Sequence, residues 1–365
     1  MNRVEPSLTT VKRRIPILVI AAMLALAACR KDPETDLDDG PTPYDLDIPA
    51  WALAQIHPLN IPADNPMTEE GVALGRKLFY EEALSDDYSI SCASCHQQAH
   101  AFTDSRRFSE GTDGSLGTRN SMPVQNMLWD HQFFWDGRAL SLEAQALAPV
   151  TNPVEMRNTW PVVEQRLRMI EGYPEMFRAA FGSEGIDSVR VVKAIAQFER
   201  TFLSFGSRFD RFYFEGDSSA LTEQEKRGRT LFFNDAQCSQ CHMLPNFQDH
   251  ALRNIGLDHS PVDPGLAGIT GLPADRGKFK VNTLRNIALT APYMHDGRFA
   301  TLEEVVVFYA DSVVLSTPNL DNHMGAWTSG AMDLDAQDQA DLVAFMRALT
   351  DEAFVTNPAF SDPDP

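Results

Sequence analysis

Two short runs, Cys92-Ala-Ser-Cys95-His96 and Cys238-Ser-Gln-Cys241-His242, constrain this chain more than any other feature of its sequence. A C-x-x-C-H run is the attachment site of c-type haem. Two thiols add across vinyl groups, and the next imidazole, turned back by the tight loop, is placed on the iron. A redox disulfide or a zinc knuckle can also use a C-x-x-C pair, but a disulfide motif has no need of the histidine. Both copies carry it, and they account for four of the five cysteines. Two covalently attached haems are expected.

The fifth cysteine ends an export signal. Lys12, Arg13 and Arg14 precede an apolar run from Ile15 to Ala28, too short to span a bilayer and suited to a signal h-region. Its end, Leu26-Ala27-Ala28-Cys29, resembles the lipobox of bacterial lipoproteins, in which the cysteine is acylated; a plain secretory signal cut nearby is the alternative. Residues 1–28 are read as signal peptide and 29–49 as an acidic, proline-rich linker, solvated and extended by like charges. The formal charge of −20 argues against a nucleic-acid partner, since nothing would neutralise the phosphates. With 22 Phe and 43% hydrophobic residues, most of the chain has enough apolar side chains to fold.

An internal repeat accompanies the haem motifs. Gly75-Arg-Lys-Leu-Phe79 precedes the first and Gly228-Arg-Thr-Leu-Phe232 the second; Arg119-Asn120 and Arg285-Asn286 follow them. Trp135-Asp-Gly-Arg138 is then answered by His295-Asp-Gly-Arg298. Such order implies two copies of one fold, each with a haem. The apolar spacing is helical: Val189, Val192, Ile195, Ala196, Phe202 and Phe205 share a face from about Asp187. Thr222 to Glu225 and Thr301 to Glu304 read as capping boxes, and Leu342, Val343, Phe345, Met346 and Leu349 as a helix packing on the second haem. Strand alternation is nowhere sustained. The expected fold is mostly α, two cytochrome c-like domains (50–215 and 216–352) and a tail at 353–365.

With Phe134-Trp-Asp-Gly-Arg138 and Thr290-Ala-Pro-Tyr-Met-His-Asp-Gly297, the chain resembles the bacterial di-haem cytochrome c peroxidases and their relative MauG from about residue 50 to 350. The resemblance implies a peroxidatic N-terminal haem on His96 and an electron-transfer haem on His242. Where some members carry a distal histidine, this chain has Thr112, and Phe102 to Arg119 holds no other Met or His, so an open iron face is implied; His100 and His131 are the remaining nearby histidines. The family's acid–base pair falls on Gln145 and Glu155, its inter-haem tryptophan on Trp135, and its calcium site on Asn120 with the carbonyls of Thr290 and Pro292. Ordinary peroxidases place a Met ligand on the second haem where this chain has Tyr309, as MauG-like members do; Met324 and Met294 are the alternatives.

Three activities stay open at this stage. One is reduction of hydrogen peroxide with electrons from a small cytochrome c or cupredoxin. The second is MauG-like oxidation of a partner protein, and the third is electron carriage without catalysis. The expected location is the periplasm, anchored by lipid on Cys29, with Arg30 hinting at the outer membrane.

Overall fold

The computed structural model describes residues 1–2, 40–55, 58–324 and 333–364; the export signal and Cys29 lie outside the described residues. From Pro41 onward the chain forms one compact unit. Its first half supplies α1 (Glu69–Phe79), α2 (Leu142–Thr151), α3 (Trp160–Met169), α4 (Tyr173–Phe181) and α5 (Ser188–Arg200). Its second half supplies α6 (Arg208–Tyr213), α7 (Glu223–Phe233), α8 (Leu302–Val307), α9 (Ala336–Arg347) and α10 (Glu352–Thr356). One antiparallel pair, Leu252–Arg253 with Phe279–Lys280, is the only sheet among the described residues. None of the described helices is long and apolar enough to cross a membrane.

The repeat seen in the sequence is a repeat of helix crossings. α1 packs on α5, and α7 packs on α9. A methyl group on Gly75 would stand 1.9 Å from the Ala194 carbonyl oxygen, and one on Gly228 would stand 1.8 Å from that of Asp341. Glycine is needed at both places because backbone meets backbone there. Both expected capping boxes form: the hydroxyls of Thr222 and Thr301 accept from the amides of Glu225 and Glu304.

The two largest apolar cores among the described residues are built around these crossings. The first gathers Leu74, Leu78, Phe79, Phe102, Phe177, Phe198 and Phe202, the last stacked on Phe102 at 3.9 Å. The second gathers Phe209, Phe232, Phe247, Leu342, Phe345 and Leu349. α5 starts after its Asp187 cap as expected but ends at Arg200, where the Thr201 hydroxyl donates to the Phe198 carbonyl and turns the chain. Phe202 and Phe205 are buried beyond the helix, whereas Val189 is 54% exposed instead of facing inward.

Two stretches expected to be peripheral are held to the body. Thr42 donates to both carboxylate oxygens of Glu70 at 2.8 Å, and the Tyr44 amide donates to the Met67 carbonyl, so the acidic stretch is bound from Thr42 onward. The tail places Phe354 and Phe360 in the first core, where the Tyr80 hydroxyl donates to the Phe360 carbonyl at 2.6 Å.

Polar groups join the two halves. Lys280 Nζ reaches Asp130 Oδ2 at 2.5 Å with both side chains buried, and the Gln125 side-chain amide donates to the Arg285 carbonyl at 2.6 Å. The Arg285 guanidinium is held within the second half by Asp210 through two bonds of 2.8 and 2.9 Å. The structural counterpart of Asn286 is Asn126, not the Asn120 that the sequence repeat implies: Asn126 and Asn286 both take left-handed backbone, with φ of 52° and 56°, each ahead of a short 3-10 turn. Their side chains reach Asn246 and Gln125 respectively.

Candidate functional site

Each C-x-x-C-H motif folds into a single tight turn. Cys92–Cys95 forms one turn of helix behind Ser91, whose amide donates to the Ser94 hydroxyl at 3.0 Å. Cys238–Gln240 forms the matching turn. His96 Nδ1 lies 2.8 Å from the Phe102 carbonyl oxygen and His242 Nδ1 2.9 Å from that of Phe247. Phe102 and Phe247 both have positive φ, 59° and 52°, which turns these carbonyls back. With Nδ1 as donor, Nε2 keeps its lone pair for a metal. Burial holds both imidazoles below their ordinary pKa, so both are neutral, as a ligand must be. All four thiols are free of disulfides.

Each motif opens on its own cavity. The first, about 940 Å³, is lined by Cys92, Cys95, His96, Gln145, Glu155 and Glu199 among others. The second, about 220 Å³, is lined by Cys238, Cys241, His242, Tyr309, Met294 and Met324 among others. Two thiols and an imidazole at one wall, repeated at the second cavity, are the donor set of haem c.

In the first cavity, α2 and the loop after it bring Gln145 and Glu155 together. Ser141 caps α2 by accepting from the Ala144 amide. Asn152 donates to Glu155 Oε1 at 2.7 Å. Burial raises the Glu155 pKa, against the opposing pull of Asn152 and of Arg138. The Thr112 amide donates to the Glu155 carbonyl at 3.0 Å, so Thr112 braces this loop, and its buried hydroxyl has no partner. His100 and His131 line neither cavity, whereas Met122, Met127 and Met156 line the first.

Between the cavities stand Asn120, Pro123, Trp135, Asp258, Pro261 and His295, which line both. Trp135 Nε1 donates to the Asn120 carbonyl at 2.8 Å, and the Asn120 amide donates to the His295 carbonyl at 2.8 Å. His295 also stacks on Phe279 at 3.7 Å. Its repeat position was visible in the sequence, but its place beside Trp135 was not.

In the second cavity, Tyr309 sits in a π-helical turn, Phe308–Ser312, that continues α8; such turns are frequent at functional sites. Burial, with the Cys241 and Cys238 sulfurs nearby, pushes its phenol pKa up. Met324, 3% exposed, and Met294 reach the same cavity, as do Thr290 and Pro292. The Asn120 amide nitrogen donates to the carbonyls of Arg106 and Arg107, which fixes the orientation of its side chain. Of the apolar run expected to pack on the second haem, α9 brings Leu342 and Met346 to this cavity, whereas Val343, Phe345 and Leu349 pack in the second core, with Leu349 beyond the end of the helix.

Known proteins share this arrangement. A family model described as di-haem cytochrome c peroxidase matches residues 69–219. The methylamine utilization protein MauG of Methylorubrum extorquens is 38% identical over 300 residues, covering 81% of this chain and 83% of the relative. Cytochrome c551 peroxidase of Nitrosomonas europaea is 39% identical over 262 residues, covering 70% and 78%. The crystal structure of a MauG-like protein associated with microbial copper homeostasis superposes with a TM-score of 0.77 at 40% identity, covering 88% of this chain and 99% of that one. With paired haem-binding motifs, two cavities and this extent of identity, the chain belongs to the di-haem cytochrome c peroxidase and MauG family, oxidoreductases that carry two haem c groups.

Proposed function

We propose that this protein reduces hydrogen peroxide to water in the Cys92–His96 cavity, with electrons entering at the Cys238–His242 haem from a small cytochrome c or cupredoxin. One observation carries the reading: the first haem motif shares its cavity with Gln145 and with Glu155, whose pKa burial has raised. Bound there, haem supplies the redox-active iron at which the oxygen–oxygen bond breaks. His96 would hold that group through Nε2, with Cys92 and Cys95 anchoring its edge.

The rest is work for side chains. Glu155 takes a proton from one peroxide oxygen and gives it to the other, which makes the departing oxygen a better leaving group. Asn152 engages Glu155 Oε1, leaving Oε2 for the transfer. The Gln145 amide donates to the oxygen on which charge develops. Trp135, shared by both cavities, relays electrons. Asn120 with the Thr290 and Pro292 carbonyls suits calcium, a hard cation that takes oxygen ligands. Tyr309 is proposed as the sixth ligand of the second haem. The export signal places the mature chain in the periplasm, tethered through Cys29.

Glu155→Gln should lower steady-state turnover of peroxide with reduced cytochrome c by about a hundredfold or more. Spin resonance of the ferric protein should give one high-spin signal that converts on adding cyanide. Two low-spin signals that ignore cyanide would leave electron carriage alone.

A phenol rather than a thioether at position 309 favours a second reading, MauG-like oxidation of a partner protein, because phenolate stabilises high oxidation states of iron. Stoichiometric modification of a co-purifying protein, in place of steady turnover, would select it.

A further inference from the structure

Glu199, at the last turn of α5, lies in the wall of the first cavity and has no part in the chemistry above. The residue is 5% exposed, and its Oε2 is buried without a hydrogen-bond partner. The adjacent Arg200 does not pair with it: Arg200 Nη2 donates instead to Glu143 Oε1 at 2.8 Å, an oxygen that also accepts from Asn65 at 2.7 Å.

The two carboxyls therefore differ sharply in surroundings. Glu143, on α2, is held below its ordinary pKa by Arg200 and Asn65 and is an anion. Glu199 lies within electrostatic reach of that anion, with its own Oε2 buried and unpartnered. The charged groups bearing on it are Arg200 on its own helix and Glu143 on α2, and its own charge would bear on the Cys92 sulfur of the haem-binding turn. α1 and α4 meet α5 through Leu74, Leu78 and Phe177 of the first core. An unpaired carboxylate is costly to bury there, and a proton removes the cost. Two neighbouring acids pushed in opposite directions are how one site holds an anion and an acid together.

We propose that Glu199 rests as a neutral carboxylic acid and supplies a proton to the cavity that holds Cys92, Cys95 and His96. The supply step rests on the peroxide reading. Reducing hydrogen peroxide to two waters consumes two electrons and two protons. Glu155 only moves a proton between the two oxygens and ends unchanged, so both consumed protons come from elsewhere. Glu199 gives up its carboxyl proton, becomes a carboxylate, and regains a proton from solvent between turnovers. Burial raises its pKa to about 8, so the proton is present at neutral pH.

The test is infrared spectroscopy of the ferric holoprotein at pH 7 without peroxide. A protonated-carboxyl stretch should be present, survive Glu155→Gln and vanish in Glu199→Gln. In single turnover, Glu199→Gln should take up protons at least tenfold more slowly, and Glu199→Asp should recover part of the rate. If Glu199→Gln fails to incorporate haem, Glu143→Gln serves: with that anion gone and Arg200 released, the same band should titrate away at lower pH. A band unchanged in Glu199→Gln, or unmoved in Glu143→Gln, overturns the resting acid. Proton uptake at the wild-type rate in Glu199→Gln overturns the supply step. A wild-type protein with the band but without peroxide turnover would sink the peroxide reading while leaving the resting acid standing.

Discussion

Trp135 and His295 meet edge to face, with ring centroids 6.4 Å apart and planes at 72°. They hold the same place in the two Asp-Gly-Arg repeats, so the internal symmetry of the sequence converges on one aromatic pair between the cavities. Asn120 ties them through its backbone, accepting from the indole and donating to the His295 carbonyl.

Trp135→Phe keeps an aromatic ring between the cavities but removes the indole donor. The Asn120 carbonyl then loses its partner, at a stability cost of about 1 kcal/mol. Electron transfer between the haems should slow at least tenfold in stopped-flow reduction, while both haems still incorporate. Unchanged transfer would reduce Trp135 to a packing residue.

Gly75→Ala and Gly228→Ala test whether the repeat is a repeat of crossings. In an exposed helix such a change gains up to about 1 kcal/mol. Here the new methyl meets a carbonyl oxygen at under 2 Å, and the helices must part. Overpacking of this kind costs about 1–3 kcal/mol or more, so both variants should lose stability in denaturant titration. A gain in either would show that its crossing is looser than described.

The haem motifs and the repeat positions of Gly75, Gly228, Trp135 and His295 were legible, because each needs particular residues at fixed spacing. That the glycines mark helix crossings and that the two rings meet was not, since both depend on contacts between segments far apart in sequence. Nor was Glu199-Arg200. Two charged residues ending a helix read as a solvated pair, and only α2, brought over from far away in sequence, shows that Arg200 is engaged by Glu143 instead. Phe354 and Phe360 were missed for the same reason, since nothing local reveals that a tail will close a distant core. Phe205 misled in the opposite way: its helical spacing continues past the residue, Thr201, at which the backbone turns. At the second cavity, the family resemblance pointed to Tyr309, with Met324 and Met294 as alternatives, and all three line that cavity.

Lys280→Met removes one partner of an ion pair buried on both sides and leaves Asp130 with His250 and Gln248 as its remaining contacts. Breaking a buried pair from one side costs about 3–5 kcal/mol, and those contacts should hold the loss toward the lower figure. Because the pair joins the two halves, chemical unfolding should lose cooperativity together with stability. The double variant Lys280→Met with Asp130→Leu should recover part of the loss.

On the proposed ligation of the second haem by Tyr309, Tyr309→Met would exchange a phenolate oxygen donor for a thioether, which favours ferrous over ferric iron. The potential of the second haem should rise by on the order of 100 mV or more in spectroelectrochemistry, with the first haem little changed. Met324→Leu should leave the potential near that of the wild type. The reverse pattern would assign the ligand to Met324.

The pH dependence of stability provides an equilibrium check on Glu199. Its folded pKa of about 8 lies above the ordinary 4.5, so the folded chain retains a proton that the unfolded chain releases. Below about pH 4.5 both states hold that proton and Glu199 contributes no pH dependence. Between about 4.5 and 8 the unfolded state binds fewer protons, so this residue makes stability fall as pH rises, by a few kcal/mol in all. Above about 8 the fall is complete. Carboxylates such as Glu143, with lowered pKa, act in the opposite direction: their stabilisation is present above the unfolded pKa and is lost in acid. The difference between wild type and Glu199→Gln isolates the one residue, and the variant should become progressively the more stable as pH rises from 5 to 8. A constant difference across that range would mean that Glu199 keeps the same proton occupancy folded and unfolded.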